Sequence, residues 1–192
     1  ININIRRFSL RVLFLYPNAR GMNMLPTAIA IFSSLLKQEG HDCRVFDTTY
    51  WELPEEGLLN NDEYKEKHLH VRPNEKSPMD VRLNTTDVFK EFVEEIEKFD
   101  PHLIAMSCTE DMFPLGIKLL SKIPKKNKPP VIVGGMLATF APDLVISYEE
   151  IDMLCVGDGE NLLINLCKKI ERGEDYSNVM GLWMKKNGTV IK

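Results

Sequence analysis

The sequence predicts a doubly wound α/β fold in which five parallel strands form one sheet covered by helices on both faces. Five short apolar runs alternate with segments whose apolar residues recur every three or four positions, which is the spacing of one helix face. The runs themselves contain almost no polar residues, as is typical of parallel strands buried on both sides. This alternation of strand and helix is the pattern of a sheet wound by crossover helices.

The predicted strands are short, and a helix follows most of them. The strands are 12–15, 44–47, 103–106, 131–133 and 153–156, and the helices lie near 25–36, 89–99, 111–123, 142–148 and 159–172. Gly40, Asp100-Pro101 and Gly173 are placed to end three of these helices. We expect a Rossmann-like (flavodoxin-like) sheet in the order 2-1-3-4-5, followed by a C-terminal hairpin around Lys186-Asn187-Gly188.

One segment and both ends depart from this rhythm. Residues 50–85 are polar and longer than an ordinary connection, and they follow the second strand; a lid over the ligand edge and a plain surface insertion both remain open. We assign residues 1–178 to one α/β domain and 179–192 to a hairpin or linker. Because the chain starts at Ile1 and stops just after the hairpin, we expect it to be a piece of a longer protein.

Composition excludes several classes of function. A formal net charge of −4 leaves no excess of Lys and Arg to neutralise phosphates, which argues against nucleic-acid and anionic-membrane partners. The cysteines, Cys43, Cys108, Cys155 and Cys167, have no CxxC spacing, so neither a zinc site nor an iron–sulfur cluster is predicted. Free thiols in apolar contexts and the absence of a signal-peptide pattern fit a reducing cytoplasm.

Ligands of open parallel sheets bind beyond the carboxyl ends of the strands, so the loops there are the candidate site. The loop 16–24 lacks both GxGxxG and GxxxxGK[ST], which argues against a dinucleotide or P-loop site. Ser107 to Asp111, after the third strand, offer small polar groups that either cap the next helix (Thr109 or Asp111) or bond a ligand.

Glycines mark the loops after the fourth and fifth strands. Gly134-Gly135 let another backbone or a flat ligand approach without a Cβ in the way, and one glycine would usually suffice for a turn. In the segment 157–160, backbone amides open the last helix, where either a ligand or the side chains of Asp158 and Glu160 could satisfy them.

Catalytic groups are not apparent in these loops. His41 and His102 precede strands two and three and therefore belong to the opposite, amino edge, whereas His68 and His70 lie in the long insertion. Because no nucleophile–base pair or paired carboxylates emerge, we expect this domain to bind a ligand without catalysing a reaction.

Several stretches together resemble the N-terminal cobalamin-binding domain of B12-dependent radical S-adenosylmethionine enzymes. They are VLFLYPNARG, DPHLIAMSCT, VIVGGMLATFAPD, IDMLCVGDGENLL and NVMGLWMKKNGTVI, and they cover nearly the whole chain. The resemblance implies cobalamin as cofactor and a C-terminal radical SAM domain on the same polypeptide. That domain would bind S-adenosylmethionine and a 4Fe-4S cluster, with methyl transfer as the expected reaction of the parent enzyme.

The resemblance also implies which residues bind. The wider family carries DxHxxG after strand one, its His being the lower ligand of cobalt; those positions are Tyr16, Asn18 and Gly21 here, so only the glycine matches. The resemblance therefore implies cobalt without a protein histidine, with Asn18, another loop residue, water or nothing below it, and no protein metal ligand is predicted. The implied cofactor-binding residues are Pro17, Asn18, Ala19, Gly21, Met22, Ser107, Cys108, Thr109, Glu110, Gly134, Gly135, Met136, Thr139, Gly157, Gly159 and Glu160.

Two other classes remain open at this point. A flavodoxin-like electron-transfer module would bind a flavin or other nucleotide, but it calls for a first loop rich in Ser and Thr, which residues 18–24 do not provide. A ligand-free interaction domain would use the same loops only for structure.

Overall fold

The computed structural model describes residues 9–19, 26–53 and 82–192, and all structural statements below concern this part of the chain. The strands are β1 (Arg11–Tyr16), β2 (Asp42–Asp47), β3 (Leu103–Ser107), β4 (Val131–Gly134), β5 (Met153–Cys155), β6 (Leu182–Lys186) and β7 (Thr189–Ile191). The helices are α1 (Thr27–Gln38), α2 (Val88–Phe99), α3 (Phe113–Leu120), α4 (Met136–Phe140), α5 (Pro142–Ser147) and α6 (Gly159–Arg172), with a 3-10 turn at Lys125–Asn127.

The strands form one sheet in the order β2-β1-β3-β4-β5-β6-β7. The first five are parallel, which confirms the predicted order 2-1-3-4-5. The predicted strand count is corrected, because the C-terminal hairpin joins the same sheet as two antiparallel strands and makes it seven-stranded. Leu182 pairs with Cys155, so the hairpin satisfies backbone groups that would otherwise line an open edge of β5.

Side chains alternate between the two faces of the sheet, and each face has its own core. Phe14, Ala105 and Ile132 pack with the residues of α1 and α6. Their neighbours, such as Leu13 and Ile104, pack with α2, α3 and α5. This two-residue period explains why the strands read as unbroken apolar runs.

Helix boundaries follow local chemistry. The carboxylate of Asp87 accepts hydrogen bonds from the amides of Phe89 and Lys90, at 2.9 and 3.2 Å, and thereby caps α2. The prediction of one short helix near 142–148 missed α4, which begins directly after Gly135. A break falls at Ala141 because the residue before a proline is disfavoured in helical conformation, and Pro142 then opens α5.

The long segment after β2 begins and returns at one point. The amide of Glu52 donates to the carbonyl of Asn84 at 2.8 Å, and the amide of Asn84 donates to the carbonyl of Tyr50 at 2.7 Å. Trp51 beside this bridge stacks on Phe46, with ring centroids 5.4 Å apart. Residues 54–81 lie outside the described residues, so a lid over the ligand edge and a plain surface insertion both stay open. Across the described ranges, none of the helices is long and apolar enough to cross a bilayer.

The hairpin should contribute to the stability of the domain. Leu182 is only 2 % exposed, so Leu182→Ala should lower the free energy of unfolding by about 2 to 5 kcal/mol through the cavity it leaves under β6. Val190, on the outer strand, is 38 % exposed, and Val190→Ala should change stability by less than about 1 kcal/mol. Urea denaturation followed by circular dichroism measures both. Equal, small losses would show that the hairpin is not part of the cooperative unit.

Candidate ligand site at the carboxyl edge

A cavity of about 230 Å³ lies between the sheet face covered by α1 and α6 and the loops that follow β3, β4 and β5. Six of the predicted site residues line it: Ser107, Gly134, Gly135, Gly157, Gly159 and Glu160. The rest of the lining was not among the predicted binding residues, although Asp158 belongs to a loop that was predicted to lie at the site; it consists of Phe14, Ala28, Phe32, Ala105, Met106, Ile132, Cys155, Asp158, Leu162 and Leu163. The strand residues of this lining could have been found from the sequence. Residues two positions apart in a strand lie on one face of the sheet, so the residues that precede Ser107, Gly134 and Gly157 by two positions were candidates.

The two consecutive glycines have different reasons for being glycine. Gly135 has φ of 108°, and a Cβ there would lie 3.1 Å from the carbonyl oxygen of Cys108, so its backbone conformation disfavours a side chain whether or not a ligand binds. A Cβ on Gly134 would lie 3.5 Å from the Cβ of Cys155, an ordinary contact. A longer side chain at Gly134 would instead extend into the cavity that this residue lines. Gly134 is therefore the residue whose missing side chain leaves open space at the end of β4.

Thr139 holds two of the glycine loops together. Its hydroxyl donates to the carbonyl of Gly135 at 3.1 Å and accepts from the amide of Gly157 at 3.2 Å. The loops after β4 and β5 are thus joined by one side chain in the first turns of α4. In this structure, Thr139 shapes the mouth of the cavity and is absent from its lining.

The N-terminus of α6 faces the cavity. Asp158 is the N-cap residue of α6, but its side chain makes no capping hydrogen bond to the described residues of this turn. The predicted self-capping by Asp158 is therefore not observed. Gly159 allows α1 to approach, because a Cβ there would lie 2.7 Å from Cζ of Phe32. The amides of this first turn and the helix dipole therefore present a donor-rich edge at the cavity.

The loop after β3 contains a buried polar atom that no described residue satisfies. The Oγ1 of Thr109 is buried and has no hydrogen-bond partner among the described residues. The predicted capping role of Thr109 or Asp111 is wrong, since the N-cap residue of α3 is Met112 and no side chain of the described residues caps the helix. A hydroxyl buried without a partner costs about 1 to 3 kcal/mol, so a ligand or water that bonds to it would be favoured. Cys108 is buried beside Gly135, whereas Glu110 and Met136 are exposed.

The loop after β1 is held by the loop after β2. Asn18 is 2 % exposed, and its backbone amide donates to the hydroxyl of Thr48 at 2.9 Å. Its side-chain amide donates to the hydroxyl of Thr49 at 2.9 Å, so in this structure the side chain positions the loop. Pro17 is buried and Ala19 packs against the core, while the predicted site residues Gly21 and Met22 lie outside the described residues.

The Cys155 thiol in the cavity and the two histidines at the opposite, amino edge have pKa values shifted by burial. Burial, reinforced by Glu160 and Asp158, raises the pKa of the Cys155 thiol to about 11. His41 and His102 accept hydrogen bonds from the amides of Leu10 and Arg11 at the amino edge, as predicted, and burial lowers the pKa of both. Within 9–19, 26–53 and 82–192, no group of three or more His, Cys, Asp or Glu side chains could hold a metal ion.

Comparison with known proteins gives consistent matches. Residues 73–166 match the family model of the B12 binding domain. Over 105 residues, or 53% of this chain, the sequence is 30% identical to an uncharacterized methyltransferase of Pyrococcus horikoshii, of which it covers 23%.

Solved structures match the fold of nearly the whole chain. The radical S-adenosylmethionine methyltransferase TsrM from Kitasatospora setae, solved with tryptophan substrate and a SAM analog, matches 95% of this chain with a TM-score of 0.67 and 19% identity. OxsB, a cobalamin-dependent S-adenosylmethionine radical enzyme solved with aqua-cobalamin and S-adenosylmethionine, matches 95% with a TM-score of 0.62 and 16% identity. The chain spans 29% of TsrM and 22% of OxsB, less than a third of either protein.

Cys155 should react slowly with alkylating reagents. A thiol whose pKa is about 11 instead of 9.0 has about one hundredth of the thiolate at pH 8, and only the thiolate is nucleophilic. Iodoacetamide labelling, quantified by mass spectrometry against a free cysteine peptide in the same tube, should be at least about 50-fold slower at Cys155. The labelling rate should keep rising between pH 8 and pH 9.5. A rate at pH 8 equal to that of the peptide would contradict the buried, protonated state.

Proposed function

We propose, from the premise that this chain carries a B12-binding domain similar to those of B12-dependent radical S-adenosylmethionine methyltransferases, that the cavity beside Gly134 receives the nucleotide tail of cobalamin. The observation that carries this proposal is the open space at the end of β4, bounded by apolar walls and lined at its mouth by glycines. The same comparisons do not favour the flavodoxin-like alternative.

The residues at the mouth suit the chemistry of the tail. Cobalamin supplies a cobalt–corrin group, and its tail carries a phosphate, a ribose and a flat benzimidazole base. The first-turn amides of α6 would donate to acceptors of the tail, since a helix N-terminus favours anionic oxygens. The hydroxyls of Ser107 and Thr109 would bond to its polar groups, which would give Thr109 Oγ1 a partner. Glu160 would accept from hydroxyl or amide donors.

The loop after β1 would lie below the corrin without supplying a histidine. The position that carries histidine in the wider family is Asn18, whose amide is hydrogen-bonded to Thr49. His41 and His102 are at the amino edge, far along the sheet from the cavity. We therefore extend the proposal to a cobalt that no histidine of the described residues ligates.

The carboxyl edge also supports a proposal about the rest of the protein. Met136 is 74 % exposed at the start of α4, and Met180 is 93 % exposed just before β6, next to the end of β5. Apolar side chains at one edge are usually covered by a ligand or a partner. We propose that the corrin and a following radical SAM domain cover this edge, with residues 179–192 leading into that domain, and that the whole protein transfers methyl groups using S-adenosylmethionine and a 4Fe-4S cluster.

Filling the space beside Gly134 should block cofactor retention. Gly134→Leu places a side chain in the cavity and should weaken hydroxocobalamin binding at least about tenfold, whereas Gly134→Ala, whose Cβ fits, should weaken it less. Ser147→Leu adds the same side chain to an exposed position of α5 and should leave binding unchanged. Retained cobalamin is read from the visible spectrum after desalting, with circular dichroism to verify folding. Unchanged binding by folded Gly134→Leu would contradict the proposed tail site.

The bound cobalt should show no imidazole ligand. When the domain is loaded with cobalamin and reduced to the Co(II) state, the electron paramagnetic resonance spectrum should lack nitrogen superhyperfine splitting, because neither the tail's base nor a histidine would occupy the lower position. Free cob(II)alamin with its own base coordinated is the control that shows the splitting. A threefold nitrogen splitting in the protein-bound spectrum would contradict the histidine-free arrangement.

A further inference from the structure

The floor of the cavity provides apolar contact but very few hydrogen-bonding partners. Resting on the proposed function, we infer that this domain selects cobamides whose lower base is an apolar benzimidazole over cobamides whose lower base is a purine such as adenine. The two kinds of cofactor share the corrin, the phosphate and the ribose. They differ in the group that would reach deepest between the sheet and the two helices.

The walls around the deepest part of the cavity consist of hydrocarbon side chains. Phe14 and Ile132 are 1 % and 3 % exposed on the sheet, and Leu162 and Leu163 are 3 % and 6 % exposed on α6. The ring of Phe32 from α1 completes the enclosure, packed against Gly159. Burying a flat apolar ring against such surfaces makes the free energy of binding more favourable in proportion to the area buried.

Polar side chains of the lining are confined to the mouth, with one exception. Ser107 ends β3, Asp158 lies in the loop after β5, and Glu160 lies in the first turn of α6. Cys155 alone lies on the sheet floor, and its thiol is directed to the carbonyl of Gly157 at 3.8 Å. Because that thiol stays protonated and already has an acceptor, it is at most a weak partner for a ring nitrogen.

The backbone of the floor offers no spare partners either. Ala105 pairs with Phe14 on one side and Ile132 on the other, and Ile132 pairs in turn with Met153. The amides and carbonyls of these strands are therefore engaged in the ladders of the parallel sheet. An adenine base brings an exocyclic amine and ring nitrogens, and burying them here would strip water from groups that find no replacement. A dimethylbenzimidazole base brings two methyl groups and a single free ring nitrogen, so it leaves fewer polar atoms without a partner.

Equilibrium binding of the purified chain to two cobamides tests the inference. Cobalamin should bind at least about tenfold more tightly than its adenine-containing counterpart, measured by ultrafiltration and absorbance. Leu163→Gln supplies an amide that can pair with adenine and should reduce this ratio by at least about threefold. Ile164→Gln, the same change at a half-buried position of α6 outside the cavity, should leave the ratio unchanged.

The outcomes separate this inference from the proposed function. Equal affinities for the two cobamides, or a preference for adenine, would overturn the base selectivity and leave the tail site standing. Failure to bind either cobamide would overturn the proposed function and the selectivity with it. Should Leu163→Gln fail to fold, the ratio measured for the unaltered chain decides the question alone.

Discussion

The site depends on how side-chain size changes along one face of a parallel sheet. On β4 the sequence passes from Ile132 to Gly134 on the same face of the sheet, and just beyond β5 Gly157 follows Cys155 by two residues. The larger residues, together with Phe14, support α1 and α6 at the distance that close packing sets. Toward the carboxyl edge α1 and α6 still cover the sheet, but the glycines there have no side chains to fill the space beneath the helices. The cavity is the volume left by that difference.

Backbone and side-chain requirements coincide at the mouth of this cavity. Gly135 is needed for a positive φ and a close approach to Cys108, and Thr139, one turn into α4, ties the resulting loop to Gly157. Gly134 is free of that constraint and leaves volume instead. A turn that would suit any strand–helix connection is thereby combined with the open space in which we propose that the cofactor tail binds.

The sequence predicted what depends on local pattern. The parallel strands and the bounds of α6 follow from apolar periodicity and from glycine or proline at element ends, whereas the strand order was taken from the doubly wound fold class. The placement of the hairpin beside β5 was missed because strand pairing is non-local, and α4 was missed because Gly135 and Met136 read as a loop. At the site, glycines and Ser107 were identified, whereas Phe32 and Leu163 read as ordinary core; only the packing of α1 near the end of the sheet shows that they face a void.

The paired hydrogen bonds between Asn84 and the backbone around Trp51 hold the two ends of the intervening stretch side by side. The chain therefore leaves and re-enters the described part of the domain at adjacent backbone positions. Lengthening a closed loop costs only about 0.6 kcal/mol for each doubling. Insertions of different length between these adjoining ends therefore differ little in the entropy that closing the loop costs.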